Sequence, residues 1–286
     1  MSVAHAVFVH GNPETAAVWG PLLAELGRDD VTCLSPPGFG APLPDGFGAT
    51  AGEYHRWLVG ELEAFAGPVD LVGHDLGGGH VVRVAMSRPD LLRSWASDAI
   101  GLFHPDYTWH YLARLWQTAG VGEVDVARRF GASAADRVAT LVGRGISRAV
   151  AERIAPEQDA AMGRAVLAHH RSSAQPAMAD LGRTLPAAAA RPGLAVLAGA
   201  DTLGGTDGQR RAAAALAGAE VGVLDGLGHW WMVQDPARAA EVLTSFWASV
   251  PDRRSTADGS TTGRAASATP GPRCRGRSPA HPVRGR

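Results

Sequence analysis

A glycine-rich turn at residues 73–78, with the sequence GHDLGG, holds the side chain best suited to chemistry in this chain. An apolar run at residues 68–72 precedes the turn, and a helical pattern at residues 80–86 follows it. A tight turn of this kind between a strand and a helix makes its middle side chain stand clear of the sheet edge. That side chain is Asp75. Because a carboxylate attacks a saturated carbon bearing a leaving group better than it attacks a carbonyl, Asp75 predicts an alkyl-ester intermediate.

Two apolar runs near the other end of the chain each lead to a polar residue. Asp201 closes the run at residues 194–200, and His229 follows the next one. The carboxyl ends of parallel strands meet at one edge of an open α/β sheet, so we expect these side chains to meet Asp75 there. His229 would take a proton from water, and Asp201 would orient its imidazole. Asp98, near the end of another strand predicted at residues 93–100, stays open as an alternative acid.

The predicted first strand, residues 6–9, leads into the sequence HGNPET. This places Asn12 at the same sheet edge as Asp75. We expect the backbone N–H groups of Asn12 and Leu76 to form an oxyanion hole for hydrolysis of the ester. The N-terminus of the helix after Asp75 would strengthen the Leu76 donor.

These four motifs, in this order, resemble the α/β-hydrolase superfamily over about residues 3–250. Within it, the chain is most similar to the branch that uses an aspartate nucleophile, the epoxide hydrolases and haloalkane dehalogenases. The resemblance implies an α/β-hydrolase fold, with a mostly parallel sheet flanked by helices and an inserted helical cap. It also implies a cis peptide bond before Pro13.

The alternation of strand and helix divides the chain into three parts. Residues 1–100 and 186–252 are predicted to form the α/β core, because strand and helix patterns alternate there. Residues 101–185 show helical patterns alone and are predicted to form the cap. Residues 253–286 are rich in Ser, Gly, Pro and Arg without apolar periodicity, which predicts a disordered tail.

The sequence offers two alternative sets of residues that could assist the leaving group. Tyr107 and Tyr111 are four apart, so on a helix they would share a face and could protonate an opening epoxide. A dehalogenase would instead use N–H donors for the halide. Asn12 fits that role, but Leu76 stands where such enzymes usually place a tryptophan. Other donors in the same stretch are His104, Trp109, His110 and Trp116.

Composition excludes several classes of protein. The 286 residues contain no lysine, which rules out a lysine Schiff base and a Walker-type phosphate loop. A net charge of −1 gives no reason to expect a nucleic-acid or membrane partner. Two cysteines, Cys33 and Cys274, and a strand starting near the N-terminus predict a cytoplasmic protein without a signal peptide. No cofactor or metal is predicted.

The sequence therefore predicts a hydrolase that acts on a small, apolar organic substrate through Asp75. An epoxide is the first choice, because the missing tryptophan argues more strongly against a dehalogenase than the unusual tyrosines argue against an epoxide hydrolase. Hydrolysis of a carbon–halogen bond is the first alternative. An ester or lactone hydrolase with Asp75 as a base, and a receptor without turnover, are the others.

Overall fold

A computed structural model describes residues 4–251, and the predicted tail at residues 253–286 lies outside them. The strands are β1 (Ala6–Val9), β2 (Val31–Leu34), β3 (Val69–Gly73), β4 (Leu92–Ser97), β5 (Gly193–Ala198) and β6 (Glu220–Leu224). All six are parallel and form one sheet in the order β2-β1-β3-β4-β5-β6. All five residues of β3 are buried, as in parallel sheets that are covered on both faces. The predicted parallel sheet flanked by helices is confirmed.

Helices cover both faces of this sheet because side chains alternate along each strand. In β1, Phe8 packs in a core with Leu22 and Phe246, whereas Val7 packs in the opposite core with Leu58 and Val81. The helices of this part are α1 (Gly20–Leu26), α2 (Ala51–Glu63), α3 (Asp75–Ser87), α10 (Asp207–Leu216), α11 (Trp231–Gln234) and α12 (Pro236–Ser249). The first core lies under α1 and α12, and the second lies under α2, α3 and α10.

Between β4 and β5 the regular structure is entirely helical. Its core is a third cluster, in which Trp116, Phe130 and Val166 pack with Phe39 and Tyr54 from the α/β part. This cluster joins the helical segment to the edge of the sheet. The α-helices are α4 (Tyr111–Gln117), α5 (Val121–Phe130), α6 (Ala134–Gly143), α7 (Arg148–Ile154), α8 (Ala160–Ser172) and α9 (Ala177–Gly182). Within residues 4–251, no helix is long and apolar enough to cross a membrane.

Two element boundaries differ from the sequence-based expectation. The helix expected at residues 80–86 begins five residues earlier, at Asp75 itself. The strand expected at residues 93–100 ends at Ser97. It ends there because Asp98 turns away from the ladder and accepts a hydrogen bond from the Asp75 backbone N–H at 2.9 Å.

Candidate active site

Asp75 occupies a strained turn between β3 and α3. Its φ angle is +51°, in the left-handed region that non-glycine residues seldom adopt and that costs about 1–3 kcal/mol. Two glycines permit the neighbouring chain to pass close by. A Cβ at Gly77 would collide with the carbonyl of His10, and a Cβ at Gly11 would collide with the Asp75 side chain. The turn therefore holds the carboxylate against the loop that follows β1.

The two oxygens of the Asp75 carboxylate have different surroundings. Oδ2 accepts the backbone N–H of Asn12 at 3.0 Å, and the N–H of Leu76 also donates to this carboxylate. Oδ1 lies 3.7 Å from Nε2 of His229. Burial raises the pKa of Asp75, but His229, His74 and the two N–H groups outweigh it, so the net pKa is lowered. Asp75 is therefore ionised at neutral pH, with Oδ1 free to attack.

His229 and Asp201 form a hydrogen-bonded pair beside Asp75. His229 Nδ1 lies 3.0 Å from Asp201 Oδ2, and Asp201 Oδ1 accepts the Leu203 N–H at 2.8 Å. Burial raises the pKa of Asp201, but its hydrogen bond to His229 and the His229 charge lower it to about 2. Burial and the nearby His74 lower the pKa of His229, whereas Asp201 and Asp75 raise it above its ordinary value. The structure thus brings Asp75, Asp201 and His229 together.

The alternative acid, Asp98, does not reach His229. Its Oδ1 accepts the Asp75 N–H, and its Oδ2 is 2.5 Å from His74 Nδ1 and 2.7 Å from Trp231 Nε1. Both oxygens are therefore occupied on the side of the turn that faces the protein interior. This geometry argues against Asp98 as the partner of the catalytic imidazole.

A buried ionic network, which the sequence did not predict, lies under Asp75. Glu14 accepts the Gly11 N–H at 2.9 Å and the Trp230 indole N–H at 2.6 Å. Its Oε1 is 3.5 Å from Nε2 of the fully buried His74. Burial lowers the pKa of His74, but Asp98 and Glu14 raise it to about 10. A carboxylate within the buried HGNPET motif was the available signal for this network.

A narrow cleft with a cavity volume of about 10 Å³ opens above these residues. Asp75, Asp201 and His229 line one side of it. The helical segment and the strand ends supply the rest of the wall, which includes Leu102, Tyr107, Trp109, His110, His170 and Leu203. A small ligand would touch the catalytic carboxylate and the helical segment at once.

The predicted pair of tyrosines does not converge on this cleft. Tyr107 lies in the loop before α4, lines the cleft, and donates its hydroxyl to the Leu203 carbonyl at 2.8 Å. Tyr111 is the first residue of α4 and is 73% exposed. Because the helix begins only at Tyr111, the four-residue spacing does not place the two rings on one face. The expectation of two cooperating tyrosines is wrong.

Two N–H donors in the cleft wall are unoccupied. The indole N–H of Trp109 is buried and has no acceptor within residues 4–251. His110 Nδ1 accepts the Ala113 N–H at 3.3 Å. Burial lowers the pKa of His110, so the ring is neutral and carries its proton on Nε2. Trp116, by contrast, donates its indole N–H to Asp125 at 2.9 Å and is not available.

The remaining predictions concern metal ligands and the loop at residues 10–15 after β1, which we call the oxyanion loop. The Asn12–Pro13 peptide bond is cis, as predicted. Asn12 is half-buried, and its side-chain Oδ1 is a buried acceptor with no partner in the described residues. Leu76 contributes a backbone N–H and an apolar side chain, which packs in the core. Residues 4–251 contain no group of three or more His, Cys, Asp or Glu side chains arranged to hold a metal ion.

Solved structures with this architecture include several hydrolases. A haloalkane dehalogenase from Bradyrhizobium elkani is 22% identical, with a TM-score of 0.65 over 87% of this chain and 91% of that one. An E-2-(acetamidomethylene)succinate hydrolase is 21% identical, with a TM-score of 0.60 over 87% and 92%. A thioesterase domain from the curacin biosynthetic pathway is 16% identical, with a TM-score of 0.63 over 84% and 91%. At these identities the likeness concerns the fold alone.

Sequence comparison identifies the family. A search among curated proteins gave no match. The sequence profile of the alpha/beta hydrolase family matches residues 6–242, which include Asp75, Asp201 and His229. Together with the parallel sheet and the similar solved structures, this match shows that the chain belongs to the alpha/beta hydrolase family.

Proposed function

We propose that this protein hydrolyses the carbon–halogen bond of a small haloalkane through an alkyl ester on Asp75. The observation that carries the proposal is the pair of unoccupied N–H donors in the cleft, Trp109 Nε1 and His110 Nε2. A departing halide needs hydrogen-bond donors and no proton, which suits an indole and a neutral imidazole. This choice reverses the order of preference from the sequence, because one of the two tyrosines lies in solvent.

The first step forms the ester. Oδ1 of Asp75 attacks the carbon opposite the halogen, and the C–halogen bond breaks with its electron pair leaving as halide. The donors of Trp109 and His110 stabilise the charge that develops on the halide. Oδ2 becomes the ester carbonyl oxygen and stays hydrogen-bonded to the N–H of Asn12, with the N–H of Leu76 as the second donor beside the carboxyl group.

The second step releases the alcohol. His229 takes a proton from water, and the oxygen of that water attacks Cγ of Asp75. The negative charge develops on Oδ2, between the N–H groups of Asn12 and Leu76, where each donor contributes roughly 3 kcal/mol. Asp201 stabilises the imidazolium of His229. Collapse of the intermediate breaks the Cγ–Oδ1 bond, and the alcohol oxygen receives the proton held by His229. The hydroxyl that water added to Cγ then loses its proton to solvent, which restores the Asp75 carboxylate.

Epoxide hydrolysis is the second candidate, and one observation favours it. Tyr107 lies in the cleft, and burial with the nearby Asp75 and Asp201 raises the pKa of its hydroxyl, so it stays protonated. In this structure that hydroxyl is already donated to the Leu203 carbonyl. Tyr107 would have to exchange this acceptor for the epoxide oxygen.

Ester hydrolysis with Asp75 as a base is less compatible with the geometry. An ester substrate would need its carbonyl oxygen between the N–H groups of Asn12 and Leu76. Oδ2 of Asp75 already accepts the Asn12 N–H at 3.0 Å. The nucleophile itself therefore occupies the position where the oxyanion of such a substrate would form.

Matched substrates test the proposal. Primary bromoalkanes and chloroalkanes, the terminal epoxides of the same chain length and the corresponding acetate esters are incubated with the wild type and with Asp75→Ala. The proposal predicts halide and alcohol in equal amounts from the wild type and neither from Asp75→Ala. Diol formation without halide release would move the assignment to epoxide hydrolysis. Acetate release alone would contradict both alkyl-ester functions.

A further inference from the structure

A second cavity, of about 220 Å³, is lined largely by the helical segment. Buried apolar side chains form part of its wall, namely Trp116, Phe130 and Leu141. Four arginines dominate its polar lining, and we call this cavity the arginine pocket. They are Arg128 and Arg129 at the end of α5, Arg137 in α6, and Arg144 directly after α6.

Two of these arginines are paired within the protein. Arg128 and Arg129 both bind the carboxylate of the buried Asp125, at 2.6 and 2.5 Å. The other carboxylate of the pocket belongs to the exposed Asp136, which accepts the Ser133 hydroxyl at 2.6 Å. Four guanidinium groups thus face two carboxylates, so the pocket has an excess of positive charge.

The other two arginines form no ion pair within residues 4–251, although the charge of Asp125 acts on Arg144. Arg137 donates to the backbone carbonyls of Ala132, Phe130 and Ala155 at 2.6, 3.1 and 2.9 Å, which fix its position without neutralising it. Arg144 is half-buried and forms no hydrogen bond or ion pair within residues 4–251. Removing such a cation from water without pairing it is unfavourable. A bound anion would relieve that cost.

We infer that the arginine pocket binds a small organic molecule that has a carboxylate or phosphate group and an apolar body. Arg144, supported by the fixed Arg137, would hold the anionic group, since a guanidinium donates two parallel hydrogen bonds to either oxyanion. Trp116, Phe130 and Leu141 would contact the apolar body. This site goes beyond the proposed hydrolysis, which uses none of the four arginines.

The arginine pocket adjoins the oxyanion loop. Pro13 and Gln158 both line it, and Gln158 Nε2 donates to the Pro13 carbonyl at 2.7 Å. Pro13 follows Asn12, whose N–H binds the nucleophile. Arg144 also acts electrostatically on His110 in the catalytic cleft. The anion is accordingly either the far end of the substrate or a separate ligand beside the active site.

Direct binding tests this inference. Phenyl phosphate is titrated calorimetrically into the full-length wild type, Arg144→Gln and Arg148→Gln. Arg148 is a matched control, because it is 70% exposed on α7 and its loss removes the same charge outside the pocket. We expect Arg144→Gln to weaken binding about tenfold or more, since it removes the charged hydrogen-bond donor that would hold the anionic group. Arg148→Gln should bind like the wild type.

Folding of the variant is checked by thermal unfolding. Arg144→Gln should keep the melting temperature of the wild type, because Arg144 forms no hydrogen bond or ion pair within the described residues and the charges of Asp125 and Arg129 act on it in opposite directions. Absence of binding to the wild type at millimolar phenyl phosphate, or equal affinity of the two variants, would overturn the inference. Because affinity is measured without turnover, this result does not depend on the haloalkane proposal.

Inhibition kinetics identify the source of the anion. If phenyl phosphate competes with a neutral substrate, the anionic group belongs to the natural substrate. If it binds with the same affinity without competing, it mimics a separate small-molecule ligand. Both results require the Arg144-dependent binding described above.

Discussion

Asp75 combines two roles in one carboxylate, and at the residue scale this division determines the chemistry. Oδ2 is held by the backbone N–H of Asn12, the Leu76 N–H also acts on this carboxylate, and Oδ1 faces His229. A serine at this position has one oxygen and leaves the N–H groups to the carbonyl of the substrate. The aspartate fills that position with its own second oxygen. In the proposed mechanism the same N–H groups therefore serve the enzyme ester and not a substrate ester.

The two half-reactions should depend differently on pH. Alkylation needs ionised Asp75, whose pKa is lowered, and so should persist in mildly acidic solution. Ester hydrolysis needs neutral His229, whose pKa lies above its ordinary value of about 6.5. Turnover should then fall as the pH drops through that raised pKa, while the alkylation rate stays constant and the alkyl-enzyme accumulates. Rapid quench with mass analysis across pH 5–9 measures both rates, and a parallel decline of the two would contradict this assignment.

Trp109 should contribute to the first step alone. Its buried indole N–H has no acceptor in the described residues, and loss of one hydrogen bond to a halide costs about 1.5–3 kcal/mol. We expect Trp109→Phe to slow alkylation by a bromoalkane about 10- to 100-fold. Trp116→Phe is the control. It should leave alkylation unchanged but destabilise the fold by about 1–3 kcal/mol, because the buried Asp125 loses a donor. Equal alkylation rates in both variants would remove Trp109 from the halide site.

At the scale of elements, the turn between β3 and α3 depends on a close approach to the loop after β1. Gly77 faces the carbonyl of His10 so closely that no side chain fits. Gly79, two residues further along α3, would place a Cβ 3.6 Å from Leu102, which is an ordinary contact. Two glycines in the same helix thus have opposite requirements.

Alanine substitutions should separate these two glycines. Gly77→Ala should destabilise the protein by about 2 kcal/mol or more and reduce activity, since the oxyanion loop and its Asn12 N–H donor must move. Gly79→Ala should be neutral or stabilise by up to about 1 kcal/mol, because alanine is the better helix former. Urea unfolding of both variants gives the two free energies of unfolding. Equal destabilisation of the two variants would contradict the claim that the contact with the His10 carbonyl sets the cost at Gly77.

Periodicity in the sequence predicted the strands well because each is short, apolar and bounded by a turn. It also placed Asp75, Asp201 and His229, since each follows a strand of one parallel sheet. It failed for Tyr107 and Tyr111, because a spacing of four implies a shared face only inside a helix, and α4 begins at Tyr111. The position of a helix start is set by local capping, here the His110 side chain accepting the Ala113 N–H.

At the scale of the whole molecule, buried charges connect distant parts of the chain under the active site. His74 lies between Asp98 and Glu14, and the indoles of Trp231 and Trp230 donate to these two carboxylates. This network ties the oxyanion loop, β3, β4 and α11 together. Sequence patterns could not reveal it, because its members lie up to 216 positions apart and each has an ordinary structural interpretation on its own.

This network predicts how stability depends on pH. The pKa of His74 is raised to about 10 in the folded protein, against about 6.5 in the unfolded chain. Its contribution is therefore complete below pH 6.5 and is lost as the pH rises through 10, with a slope of at most about 1.4 kcal/mol per pH unit. We expect the free energy of unfolding to fall between pH 7 and pH 10. His74→Gln should be less stable at pH 7 and show a flatter dependence, and an identical slope in both proteins would contradict the assigned charge.

Detection of the alkyl ester on Asp75 is the most decisive experiment. His229→Ala keeps Asp75 and its N–H donors but lacks the base that activates water. After exposure to a primary bromoalkane, intact-mass analysis should show one added alkyl group, and peptide mapping should place it on Asp75. An unmodified His229→Ala protein, from a wild type that turns over the same bromoalkane, would contradict the alkyl-ester mechanism.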